Sequence, residues 1–391
     1  MFNKSSILLV ALILSAGLVL GGCGPAATPS PTATPTLPPT PPPSPTPTTP
    51  PAGTVLWTFA AGDAIWSSPV VSQGLVYFGS DDKSIYAVDL KTHQPAWKFT
   101  AGGIIRSRPA ISDGVVFVSS DDGVLHALEA STGTEKWKAG IGAANTRTGG
   151  VYDVGSGYDY QQASPVVAEG VVYVGSGTGE FHAIEAASGQ PLWRFEASSR
   201  IRSSAAVADG KVYFGDGSET LHALDARTGT ELWKQPGCDV PSPAVAGGWV
   251  YCGDRGTYEV HAWDAATGEL KWKFSVGHSW VDSSPVIVDG SLYIGSSDAS
   301  TLFALDASTG ELKWKFGTKG YAWCTPRIAD GTAYIGSYNA GMQGNLYAVD
   351  AATGQQKWSL PVPGGMVGTP AVDQGILYFG GLDGNLYAVQ E

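Results

Sequence analysis

Residues 223–233 read ALDARTGTELW, and this stretch is one of seven near-copies of a single pattern, Ala-x-acid-x-x-Thr-Gly-x-x-x-Trp. The copies occupy 87–97, 127–137, 183–193, 223–233, 262–272, 304–314 and 348–358, and an eighth opens at Ala388 just before Glu391. Successive terminal Trp residues lie 40, 56, 40, 39, 42 and 44 residues apart. Trp57 stands 40 residues before Trp97 with no motif in front of it. A period near forty means one supersecondary unit per repeat.

Each unit reads as four short strands. In the first, residues 68–71 form a strand and Gln73-Gly74 a two-residue turn. Residues 75–78 and 85–88 follow as two further strands, and a last one surrounds Trp97. Other copies place Asp113-Gly114, Asp209-Gly210, Asp289-Gly290 and Asp330-Gly331 at the first turn, pairs suited to positive φ. The expected fold is therefore all-β: an eight-bladed β-propeller of four-stranded antiparallel blades. The last unit lacks an outer strand, and residues 54–59 (TVLWTF) form an orphan strand at the other end of the repeats. Placing one on the other closes the ring, so the N-terminal strand should complete the last blade.

The repeats resemble the PQQ-like (quinoprotein-type) propeller, whose tryptophan-docking motif they match over essentially all of residues 53–391. The resemblance implies that each Trp packs on the motif of a neighbouring blade, so the motif residues are structural. The same repeat is found in quinone-cofactor dehydrogenases, in the lipoprotein subunit of the outer-membrane β-barrel assembly machinery, and in many bacterial surface proteins. Fold alone does not choose among them.

Residues 1–22 read as a lipoprotein signal peptide. An apolar run at 7–20 is short for a membrane span and leads into Leu20-Gly21-Gly22-Cys23, which resembles a lipobox. Cys23 is the expected lipid attachment site, anchoring the chain to the cell membrane, or to the outer membrane where the host has one. Residues 23–52 are then the lipidated Cys and a linker. Its 25–51 portion holds 13 of the 26 prolines and no charge, and should form a stiff polyproline-type spacer. The propeller domain spans 53–391. With 35 acidic against 23 basic side chains, nucleic acid is excluded as a partner.

Function is sought where the repeats differ. Three residues before the Ser/Thr-Pro of each inner strand stand Trp66, Arg106, Gln162, Arg202, Val240, Asp282, Trp323 and Val367, with Trp280, Tyr321 and Asp239 close by. In a propeller this position rims the central channel, so these residues form a candidate binding mouth. The 56-residue step reflects an insertion at 140–161. Its Arg147, Tyr152, Tyr158 and Tyr160 make it a candidate recognition loop. His126, His182, His222 and His261 share one repeat position and should be packing residues rather than ligands of one metal. Cys252 reads as a buried apolar thiol, and pairing with Cys238 across their hairpin misses register by roughly 16 Å, so no disulfide is expected.

These observations point to a monomeric, extracytoplasmic lipoprotein serving as an interaction platform for envelope proteins or an extracellular ligand. No catalytic residue, metal or cofactor is expected. The alternative that the resemblance implies is a small PQQ-dependent dehydrogenase with Ca²⁺. Trp66 or Trp323 would stack on the quinone, Arg106 or Arg202 would contact it, and Asp282 would act as base. Against that alternative, the chain lacks an adjacent Cys-Cys pair and a C-x-x-C-H segment.

Overall fold

The computed structural model describes Gly24 and residues 49–142, 162–339 and 343–391. Cys23 and the loop residues Arg147, Tyr152, Tyr158 and Tyr160 lie outside them.

Among the described residues, thirty-two strands form eight four-stranded antiparallel sheets. Blades one to seven each use consecutive strands and span 70–100, 110–140, 166–196, 206–236, 244–275, 286–317 and 327–363. Blade eight takes Ala371–Asp373, Ile376–Gly380 and Asn385–Gln390 and is completed by Val55–Ala60 from the start of the repeats. Register runs from Val55 opposite Val389 to Ala60 opposite Asn385. The ring is thus closed as the sequence predicts.

Local chemistry explains the repetition. The first turns are two-residue hairpins with both residues at positive φ, as at Asp113 (50°) and Gly114 (73°) or Asp209 (49°) and Gly210 (69°). Second strands such as Leu75–Gly79 are buried on both faces, because each sheet packs against two neighbours.

The repeated motif is a docking device. In blade four, Asp225 Oδ1 accepts from the backbone N–H groups of Arg227 and Thr228 and from the Thr228 hydroxyl, fixing the turn. The left-handed Gly229 (φ 71°) leaves its Cα face bare, and the Trp193 indole of blade three covers it. Trp193 Nε1 then donates to Ala226 O at 3.0 Å. Equivalent bonds join Trp97 to Ala130, Trp137 to Ala186, Trp233 to Ala265, Trp272 to Ala307 and Trp314 to Ala351. Trp358 closes the series over Gly53 (φ 79°). The four repeated histidines are buried inside their blades, His222 lying between Glu231 (2.8 Å) and Asp216 (3.3 Å).

One expectation is corrected. Cys238 and Cys252 form a disulfide with Cα atoms 5.6 Å apart. The register argument extended the inner strand back to Cys238, but that strand is only Ala244–Ala246. Residues 238–243 before it, with Pro241 among them, are not strand, and they bring Cys238 back beside Cys252. Cys324 is the remaining described cysteine, buried and reduced, its thiol pushed up to about 12 by burial.

Candidate functional site

All eight residues counted from the inner strands line one cavity of about 170 Å³ at the channel mouth, together with Arg255 and Trp280. They converge because they occupy one repeat position, just ahead of each inner strand, and the ring turns a linear period into a circle.

Two ion pairs brace this mouth. Arg106 of blade two grips Asp81 of blade one, Nε to Oδ1 at 2.7 Å and Nη2 to Oδ2 at 2.5 Å, with both side chains almost fully buried. Its guanidinium also lies 4.7 Å from the Trp66 ring. On the opposite side, Arg255 Nε of blade five donates to Asp282 Oδ1 of blade six, and the guanidinium lies 5.7 Å from the Trp280 ring. Asp81 and Arg255 both stand two residues after the glycine or its equivalent that ends the second strand, at Gly79 and Gly253. The two pairs therefore use the same two repeat positions, four blades apart, with the signs exchanged.

The carboxylates here are strongly affected by burial. Desolvation raises Asp282 above the ordinary carboxylate range while Arg255 opposes the shift. It also lifts Asp239 to about 6, a shift that Asp254 and Asp282 reinforce and Arg255 opposes. Gln162 turns its carbonyl into the wall, accepting from the backbone N–H groups of Arg106 (3.2 Å) and Ser107 (3.0 Å). Arg202 is buried within the lining. Trp323 anchors an aromatic patch. It is stacked on Tyr321 (5.3 Å, 8° between planes), set against Tyr338 at 5.4 Å, and bonded through Nε1 to Ser297 Oγ at 2.7 Å.

Beneath the mouth runs a collar of hydroxyl side chains, one per blade except blade two. The Ser164 N–H donates to Ser204 Oγ, Ser204 to Ser242, and Ser242 to Ser284, at 2.9–3.0 Å. Thr369 donates likewise to Ser68 Oγ at 2.9 Å, across the closed seam. The collar borders both the mouth and a larger cavity below it.

Arg255 was missed by the sequence count because it sits on a turn between strands rather than ahead of an inner strand. The available signal was positional: its counterpart in blade one is the acidic Asp81. Among the described residues no group of three or more His, Cys, Asp or Glu side chains could hold a metal ion.

Comparison with known families finds that the model described as outer membrane protein assembly factor BamB matches residues 47–149, 143–241, 217–324 and 321–391. No curated protein matches the chain. Among solved structures, BamB from Moraxella catarrhalis is similar with a TM-score of 0.70 and 16% identity, over 87% of this chain and 100% of that one. The computationally designed Ika8 protein gives 0.71 and 18%, over 85% and 98%. A europium-containing methanol dehydrogenase gives 0.69 and 15%, over 86% and 93%. At such identities the likeness is one of fold.

Proposed function

This chain belongs to the outer membrane protein assembly factor BamB family, and from that premise we propose that it is a lipid-anchored, extracytoplasmic interaction platform of the cell envelope. Cys23 carries the lipid, residues 25–51 space the propeller from the membrane, and the channel mouth is the docking face for an envelope protein or extracellular ligand. One observation carries this reading. The mouth is lined by Trp323, itself stacked on Tyr321, and by Arg106 and Arg255, which are already paired within the wall; these are residue types that dominate binding faces. Arg202, Gln162 and Trp66 complete that face, and the 140–161 insertion, largely outside the described residues, serves as a recognition loop.

The quinoprotein alternative is less well supported. An aromatic platform and arginines are present, but among the described residues Asp282 is the sole carboxylate lining the cavity, and it is paired with Arg255. The described donor set does not fit the Ca²⁺ that would accompany PQQ, and Asp282 is poorly placed to serve as a free base.

The test is photo-crosslinking in intact envelopes, with a photoreactive phenylalanine at position 323 or, as control, at the exposed perimeter residue Leu192. A discrete adduct from 323 that disappears in Tyr321→Ala supports the docking face. Adducts from 192 but not 323 would move the interaction to the rim. Saturable binding of PQQ with Ca²⁺ by the purified full chain, lost in Asp282→Ala, would instead restore the enzyme reading.

A further inference from the structure

Below the hydroxyl collar the channel widens into a cavity of about 590 Å³ with no Asp or Glu among its described lining residues. The one charged residue among them is Arg108, which replaces the collar hydroxyl in blade two. Arg108 keeps water access from the channel yet is enclosed by surrounding blades, which makes its charged form costly. A second arginine adds to that cost. Arg327 of blade seven is exposed and stands in the register of Val70, Ala110 and Val166, which line the same cavity. Its charge acts on Arg108 and opposes it.

Neither guanidinium makes a hydrogen bond or ion pair with a described residue. Arg108 enters the collar only through its backbone N–H, which donates to Ser164 Oγ at 2.9 Å. The collar hydroxyls have spare donors too. Ser164, Ser204, Ser242 and Ser284 each accept a backbone N–H and donate to no described residue, so their protons are available to the channel. In an acidic protein, Arg108 in a cavity lined without acids, with the like charge of Arg327 acting on it and a ring of hydroxyl donors above, forms an incomplete anion site.

We propose that the inner chamber binds a small tetrahedral oxyanion, phosphate- or sulfate-like, free or as the terminal group of a larger ligand, held by Arg108 and Arg327 with the collar hydroxyls as further donors. This site shares the collar with the mouth above it, but its arginines are not mouth residues and it stands whether or not the mouth binds a partner.

The test titrates the purified full chain with inorganic phosphate, sulfate and acetate at constant ionic strength against chloride, reading thermal midpoint and calorimetric binding. Arg108→Ser and Arg327→Val restore residue types that other blades carry at these positions, so both variants should fold. Saturable stabilisation by phosphate or sulfate is expected, with affinity at least tenfold weaker in either variant and unchanged in Trp323→Ala. Without anion, both variants should melt at or above the wild-type temperature, because a repulsion has been removed. The proposal is overturned if no oxyanion shifts the wild type beyond chloride, if acetate alone binds, or if Arg108→Ser binds phosphate as tightly. Lower melting of the anion-free variants would also overturn it, since the arginines would then be structural braces. A free-anion role predicts that inorganic phosphate saturates the site at millimolar concentration or below. Weaker binding that tightens at least tenfold with a phosphate monoester supports the terminal group of a larger ligand.

Discussion

Trp57 stacks on His93, with ring centroids 4.6 Å apart and planes 18° from parallel. His93 sits at φ 58° in the place where the other copies of the motif have glycine, so blade one receives the closing tryptophan with a ring instead of a bare backbone. Trp57→Ala should cost about 2–3 kcal/mol, below the range for a fully buried Trp because Trp57 is half-buried. His93→Gly loses a stacking contact of about 1 kcal/mol but also relieves a left-handed backbone worth about as much. It should stay within about 1 kcal/mol of wild type. Urea unfolding of the two variants checks both, and equal losses would contradict the docking role of Trp57.

Glycine at the docking turns is required for space as well as for φ. A Cβ at Gly229 would lie 2.5 Å from the Trp193 ring, whereas one at Gly210, with nearly the same φ of 69°, meets nothing within 4 Å. Gly229→Ala should therefore cost about 2–4 kcal/mol and Gly210→Ala about 1–2 kcal/mol. Thermal melts of this matched pair separate crowding from backbone strain.

The Cys238–Cys252 disulfide closes a 14-residue separation directly behind Asp239 and Val240. A loop of that size stabilises by roughly 3 kcal/mol in the chain-entropy account. Reduction, or Cys238→Ser with Cys252→Ser, should lower the urea midpoint accordingly. Thiol titration of the denatured, unreduced protein should find Cys324 reactive and neither member of the pair.

Asp239 supplies a pH dependence with a definite sign. Folded, its carboxyl keeps its proton up to about pH 6, while the unfolded chain releases it near 3.8. The native state then binds more protons across that window, so this residue's contribution to stability falls as pH rises from about 4 to about 6 and is flat above. The effect is on the order of 2–3 kcal/mol. Asp239→Asn should lose less stability than wild type between pH 4 and pH 7, measured by urea unfolding at both. Parallel curves would show that the site is better solvated.

Removing Arg106 takes from the buried Asp81 carboxylate its ion-pair partner. Arg106→Ala should cost about 3–5 kcal/mol, and adding Asp81→Asn should return most of it. A double-mutant cycle on urea midpoints reads the coupling directly, and additive losses would refute it.

The propeller was legible because its signal is written seven times and the copies carry a mechanism: an acid for the turn, a glycine for the approach in all but the first, a Trp to fill it. The mouth was legible for the same reason, since one repeat position maps to one radius. What escaped depends on side chains that meet across blades from outside the inner-strand position. Arg255 lies on a turn, and its partner Asp282 lies 27 residues further along the chain. The disulfide escaped because an irregular segment was read as strand, and only regular strands convert residue counts into distances.

Ring closure also has a consequence in time. Val55 pairs with Val389, so the first strand to be synthesised finds its partner only when the last is made. At roughly 5–20 residues per second that wait is on the order of 20–70 s. Until then the strand around Trp57 has no partner in its own sheet. The final step joins the two most distant parts of the repeat array, the longest loop the chain can close. Birth order and spatial order are thus opposed at this one seam.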